Sequence, residues 1–244
     1  MGCKRNKAGQ WARRIAEHTR SKRKVVAYGG AIAILLCLPF ILMCVGLGII
    51  GLGVVGIVGI VVLIVVINAI SSTVESRAKA YRGKEQRAER GARAEEAVEE
   101  VLRQLKGPYD VFNDVDTGYG DIDHILLSRG HGVFVLETKS HSGKVTVHNE
   151  ILLIDEKQPE KDFIDQAFRN TMWLKRRIKE TTGLDPWVQP IIVFTHAFVQ
   201  EWRPVRSILV RNKKYLVSTI EKTRANQTTT ARLWTLHEQG KSLW

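Results

Sequence analysis

The chain has 244 residues, 44% of them hydrophobic, with 37 Lys and Arg against 25 Asp and Glu and a formal charge of +12. Its three cysteines, Cys3, Cys37 and Cys44, lie at the N-terminus or inside an apolar run. That excludes a disulfide framework and a cysteine-based zinc site in the remainder, and a reducing compartment fits.

The charge is localised. Residues 1–24 hold nine basic and one acidic side chain, residues 68–94 hold seven and three, and residues 95–244 hold 21 of each. The basic excess therefore flanks an apolar stretch. This is the pattern of a membrane protein with both flanks on the cytoplasmic side, and it says little about nucleic acid.

In chain order, the basic segment 1–24 comes first. Its portion from Trp11 to Lys24 either lies on an anionic lipid surface, with Trp11 and Ile15 on one face, or is a solvated tail that only sets topology. Val25 to Ile67 comes next, 43 residues without a charge. As one straight helix it would be about 64 Å long, against a bilayer core of about 30 Å. Two helices, Val25–Val45 and Ile49–Asn68, joined near Gly46-Leu47-Gly48, use this length and return the chain to its starting side. A single tilted span with a frayed end is the alternative. The hairpin reading makes the protein multi-pass over 25–68, with both termini cytoplasmic and membrane lipids as partners.

Residues 69–90 read as a juxtamembrane helix. The helical pattern runs on to Lys106, with Ala94, Val98, Val101, Leu102 and Leu105 on one face, and Gly107-Pro108 ends it. Strands are expected at Tyr109–Val115, Ile122–Ser128, Gly132–Ser140, Lys144–His148, Ile151–Ile154 and Val188–Thr195. Short strands are expected at Ser207–Val210 and Tyr215–Ser218, with helix after Thr219. A helix is expected over Asp162–Thr181, stopped by Gly183. The class is α/β, a mixed sheet packed between helices, spanning 91–205 with a C-terminal extension over 206–244.

The chemistry concentrates at one hairpin. If Arg129-Gly130-His131 is a three-residue loop, Ser128 pairs with Gly132, and counting back sets Asp123 across from Glu137, about 5 Å away. Period 2 then puts Asp121 beside Asp123 and Lys139 beside Glu137. Facing carboxylates on a half-buried sheet are unfavourable unless something offsets their charge. A divalent cation does so, and hard carboxylate oxygens suit Mg²⁺. A shifted register would instead leave these groups as solvated edge charges, and the spacing alone does not choose. His124 alternates to the opposite face, where packing or a hydrogen bond is favoured over metal binding. The run Lys175-Arg176-Arg177-Lys179 reads as a solvated face, with phosphate contact as the other option. Trp187, Trp202, Trp234 and Trp244 read as packing.

Asp123 followed by Glu137-Thr138-Lys139 resembles the PD-(D/E)xK signature of the restriction-endonuclease-like superfamily. The wider strings Gly120-Asp121-Ile122-Asp123-His124-Ile125-Leu126-Leu127 and Gly132 to Ser140, followed by Ser142-Gly143-Lys144-Val145, resemble the nuclease-related domain called NERD. Gly91 and Glu95 stand where that family has a glycine and glutamate on a preceding helix, with Ala94 departing from a second glycine. Gln166 stands where a later helix carries glutamine. The resemblance covers about 90–200. It implies a restriction-endonuclease-like mixed sheet and hydrolysis of phosphodiester bonds in DNA, or less readily RNA, with Mg²⁺ or Mn²⁺ as cofactor.

On that implication Asp123 and Glu137 hold the metal, with the Thr138 carbonyl as a further ligand. Lys139 orients water and stabilises charge, Glu95 holds the metal's water shell, and Gln166 positions Lys139 or the substrate. On the helix, Glu95 alone of Glu95, Glu96, Glu99 and Glu100 lies near the apolar stripe; the other three point outward. Three functions stay open: a membrane-anchored metal-dependent nuclease, a catalytically inactive binding or scaffold protein on the same fold, and, as the least favoured, a membrane accessory protein whose basic flanks bind lipids or partners.

Overall fold

Two long helices, α1 (Gln10–Leu36) and α2 (Gly53–Leu102), precede the first strand. They belong to a computed structural model that describes residues 7–39, 42–43, 46, 53–200, 203–224 and 226–244. The chain divides into two units, Arg13–Glu89 on one hand and the residues up to Ala12 with Arg90–Trp244 on the other.

In the first unit, α1 passes through Lys24 and Val25 without a break. No glycine, proline or capping residue stands at that junction to end it. Likewise the juxtamembrane residues 69–90 continue the helix that precedes them as part of α2. Among the described residues, one helix is long and apolar enough to cross a membrane, with its apolar stretch inside α2. Its Val54, Ile57, Val61 and Val65 are exposed. Except for Gly46, the turn expected near Gly46-Leu47-Gly48 lies outside the described residues. Glu85, buried in this unit, takes salt bridges from Arg20 at 2.6 Å and Arg23 at 3.2 Å.

The second unit is a five-stranded sheet in the order β1-β2-β3-β6-β8, built from β1 (Tyr109–Asp116), β2 (Asp121–Ser128), β3 (Gly132–Lys139), β6 (Val188–Phe194) and β8 (Leu209–Asn212). The first three strands form an antiparallel meander; β6 and β8 add parallel to β3 and β6. A smaller sheet holds β4 (Lys144–His148) between β5 (Ile151–Ile154) and β7 (Phe198–Val199).

Helices cover both faces of the larger sheet. On one, Leu174 and Ile178 of α3 (Phe163–Thr182) and Leu233 and Trp234 of α5 (Gln227–Glu238) pack on Ile125, Leu127, Val133 and Val135. On the other, Val98 and Leu102 of α2 and Leu216 and Ile220 of α4 (Leu216–Lys222) pack on Leu126, Phe134 and Leu136. Strands covered on both faces read as continuous apolar runs. Asp123 and Glu137 therefore stand out within them.

Three local expectations differ from what is seen. Tyr215–Ser218 is no strand: a 3₁₀ turn over Lys213–Tyr215 leads into α4. The Asn212 side chain caps that turn by accepting from the Lys214 N–H at 3.0 Å, and Leu216 and Ile220, one helical turn apart, are both fully buried. A four-residue apolar alternation does not separate the two conformations. The preceding strand starts later than expected, at Leu209, because Arg206 and Ser207 turn with φ of 48° and 66°. Trp187 is 52% exposed and is no core residue, unlike buried Trp234 and the partly buried Trp244; Trp202 lies outside the described residues.

Candidate active site

The β2–β3 loop places Ser128 opposite Gly132, and the ladder runs back to His124 opposite Leu136. One step further along the same register, Asp123 faces Glu137. Both point to the face covered by α3, the face of Ile125, Val133 and Val135. The shifted register is thereby ruled out. His124 takes the other face, fully buried, with its Nδ1 2.8 Å from Asn113 Oδ1. Burial pushes its pKa down to about 3, so it is a neutral packing group.

The carboxylates are tied into a network. Asp123 Oδ2 accepts the Thr138 backbone N–H at 2.6 Å. Glu137 is fully buried. Its Oε2 accepts from Gln166 Nε2 at 2.8 Å and from Lys139 Nζ at 3.5 Å, and its Oε1 accepts from the Asn170 side-chain amide. Lys139 Nζ also donates to Gln166 Oε1 at 3.0 Å and lies 4.8 Å from the centre of the Phe163 ring. Gln166 thus bridges Glu137 and Lys139, fixing the ammonium beside the carboxylate.

Burial pushes the Asp123 carboxyl well above the usual range, and the Glu137 and Glu95 charges add to this. Glu137 is raised by burial too, while Lys139 and Asn170 hold it back. Glu95, on α2, is pushed up to about 7, first by burial and then by the charge of Asp114. Burial and mutual repulsion thus make all three carboxyls harder to ionise than they are in water.

A cleft of about 640 Å³ opens over Asp123, Glu95, Gln166 and Asn170. The structure thus brings together Asp123, Glu137, Lys139, Thr138 and Gln166, with Glu95 on the same cleft. Glu99, expected in solvent, instead accepts the Ala8 backbone N–H at 3.2 Å. Lys175 and Lys179 pair with Asp185, and Arg177 with Glu180, as expected of a solvated face.

Three residues of the site escape a reading of the sequence. Asn170 had a signal: it lies one helical turn beyond Gln166, on the same face. Asp114 had none. It sits inside β1 opposite Asp123, yet with φ of 51°, a left-handed conformation that aspartate tolerates better than most residues. Its Oδ2 accepts the N–H groups of Gln10 at 2.9 Å and Trp11 at 3.3 Å. Trp11, about a hundred residues away in sequence, is thereby set into the cleft wall.

Removing the Asn170 amide leaves Glu137 Oε1 buried without its donor. Asn170→Ala is expected to cost about 1–3 kcal/mol, read by urea denaturation at constant pH.

The donor set fits a hard divalent cation. Asp123 and Glu137 supply carboxylate oxygens, and Asp121 Oδ2 beside them is buried with no hydrogen-bond partner. Among the described residues, no group of three or more His, Cys, Asp or Glu side chains is placed to enclose an ion.

An acidic pair on adjacent strands with a lysine two residues on, under a helix bearing glutamine, is the arrangement the resemblance implied. Over residues 90–195 the chain matches the family model of the nuclease-related domain, NERD. The match begins just before Glu95 and ends just after β6, so it takes in Asp123, Glu137, Lys139, Gln166 and Asn170. The NERD segment is an α/β unit in which a mixed sheet is flanked by helices. No curated protein and no solved structure matches the chain.

Proposed function

We propose that the protein is a membrane-anchored, metal-dependent nuclease that hydrolyses phosphodiester bonds, in DNA in preference to RNA. The observation that carries this is Lys139, held by Gln166 beside the buried Glu137, with Asp123 and Gln166 lining an open cleft.

Asp123 and Glu137 would hold Mg²⁺ or Mn²⁺, with the Thr138 carbonyl and Glu95 toward its remaining positions. When bound, the cation supplies Lewis acidity toward a phosphoryl oxygen and acidifies the attacking water. Lys139 orients that water and offsets negative charge as it grows on the phosphate. Gln166 holds Lys139 in one position, so little reorganisation is needed when the charge develops. Glu95, with a pKa near 7, sits where it can accept a proton from water near neutral pH. Full-length protein in detergent, incubated with plasmid, single-stranded DNA or RNA and Mg²⁺ or Mn²⁺, tests the reading. Cleavage of none of them would favour the scaffold alternative.

For the anchor, we propose a helical hairpin over 25–68 with both termini cytoplasmic. It is supported by the apolar stretch in α2, by the length of the uncharged run and by basic flanks on both sides. Single cysteines at Ser21 and Ser71, in a background lacking the native cysteines, should both resist a membrane-impermeant maleimide in intact cells. Labelling of one alone would mean a single span.

A further inference from the structure

We infer that the cleft takes single-stranded nucleic acid, with Trp11, Tyr119 and Trp173 as stacking faces for unpaired bases. This rests on the nuclease reading and names its substrate class.

The first element is a fixed strap. Ala8 and Ala12 are buried, and Gly9, at φ +72°, packs so tightly that a Cβ there would stand 2.7 Å from the Ala92 carbonyl oxygen. Glu99 and Asp114 hold the N–H groups on either side of this glycine. The Trp11 backbone is therefore immobilised at the cleft while its side chain stays 51% exposed. Across the same cleft, Tyr119 sits on a turn closed by the Thr117 N–H to the Gly120 carbonyl at 2.9 Å. Its side chain is fully exposed and packs on nothing, so folding gives no reason for an aromatic there. Trp173, on α3, has one side against the core and lines the cleft with the rest.

Charge then selects the form of the polymer. Near these rings the walls carry Glu95, Asp114, Asp121 and Asp123; the cleft's basic side chains are Lys161 and Arg169, the latter paired with Asp165. Residues 95–244, which hold the cleft's acids and most of the NERD segment, carry no net charge. A duplex presents one phosphate charge per about 1.7 Å of axis and keeps its base faces hidden. Acidic walls repel either polymer, the duplex more strongly, since one strand alone carries a charge only every ~3.4 Å. A single strand turns its bases toward the rings, and each stacked base contributes about 1–3 kcal/mol by alanine substitution.

The test is fluorescence anisotropy on full-length protein in detergent with Ca²⁺ in place of Mg²⁺. The probes are a fluorescein-labelled oligothymidylate of about 20 nucleotides and a duplex of equal length, long enough to fill such a groove. The oligothymidylate should bind about tenfold more tightly than the duplex. Trp11→Ala and Tyr119→Ala should each weaken it about tenfold and leave the duplex unchanged, and Trp11→Phe should retain most of the affinity. Tyr119 touches nothing, so its truncation keeps the test valid if Trp11→Ala melts early. Equal affinity for the two probes, binding to neither, or variants indistinguishable from wild type overturns the inference. Cleavage that needs Asp123 but ignores both aromatics would overturn this inference alone. Aromatic-dependent binding without cleavage would overturn the nuclease reading alone.

Discussion

Lys139→Ala and Asp123→Asn are each expected to reduce divalent-dependent cleavage by at least about a hundredfold, while moving the stability of the cation-free protein in opposite directions. The ammonium of Lys139 is the positive group beside buried Glu137; without it that carboxylate keeps its amide donors and loses its counter-charge. The cost is a few kcal/mol at most, because Glu137 can take up a proton instead. Asp123→Asn removes one of two facing acids whose proximity disfavours ionisation of both, so the cation-free protein should melt higher. The combination separates a catalytic site from a structural ion cluster. Plasmid nicking and thermal melts on the same preparations give both readouts. Two variants that keep wild-type cleavage would remove Asp123 and Lys139 from the site.

The second large effect is on stability with pH. Glu95 has a folded-state pKa of about 7 against an ordinary 4.5, so the folded protein keeps a proton that the unfolded chain has released. Stability from this group is fully present below about pH 4.5 and is lost as pH rises through 7. Asp123 and Glu137 are raised as well and act with the same sign. Without divalent cations the protein should therefore weaken between about pH 5 and pH 8, Glu95 contributing on the order of 2–3 kcal/mol. Mg²⁺ replaces the protons as counter-charge, so it should raise the melting temperature more at pH 8 than at pH 5. Glu95→Gln should flatten the pH slope. A melting temperature that climbs over this range without divalent cations would contradict the arrangement of these carboxyls.

Much of this site is legible from one loop. Three residues between Ser128 and Gly132 determine the pairing, and a period of two then carries Asp123, Glu137 and Lys139 to one face. That is local chemistry, and local patterns survive into the fold. Gln166 entered through the family resemblance, since nothing in helical periodicity says which turn of α3 lies over Glu137. Asn170 can be placed from Gln166 once that turn is known. Asp114 and the strap lie beyond such reasoning. A left-handed residue within a strand leaves no mark in the sequence, and a contact spanning about a hundred residues depends on how the whole domain closes. The helix at Leu216 was hidden for a further reason: two buried residues four apart and an alternating tetrapeptide use the same letters.

The close approach of Gly9 to Ala92 bears on how the protein can be handled. A soluble fragment that starts at the NERD boundary, made to avoid the apolar run, would shed the peptide that covers Ala92 and donates to Glu99 and Asp114. It would also lack Trp11. Trimming the chain before Arg90 thus removes a wall of the cleft, and weak activity in such a fragment would report the missing peptide as much as the chemistry. Supplying residues 7–12 through a short linker to Arg90 would return that wall without the apolar helices.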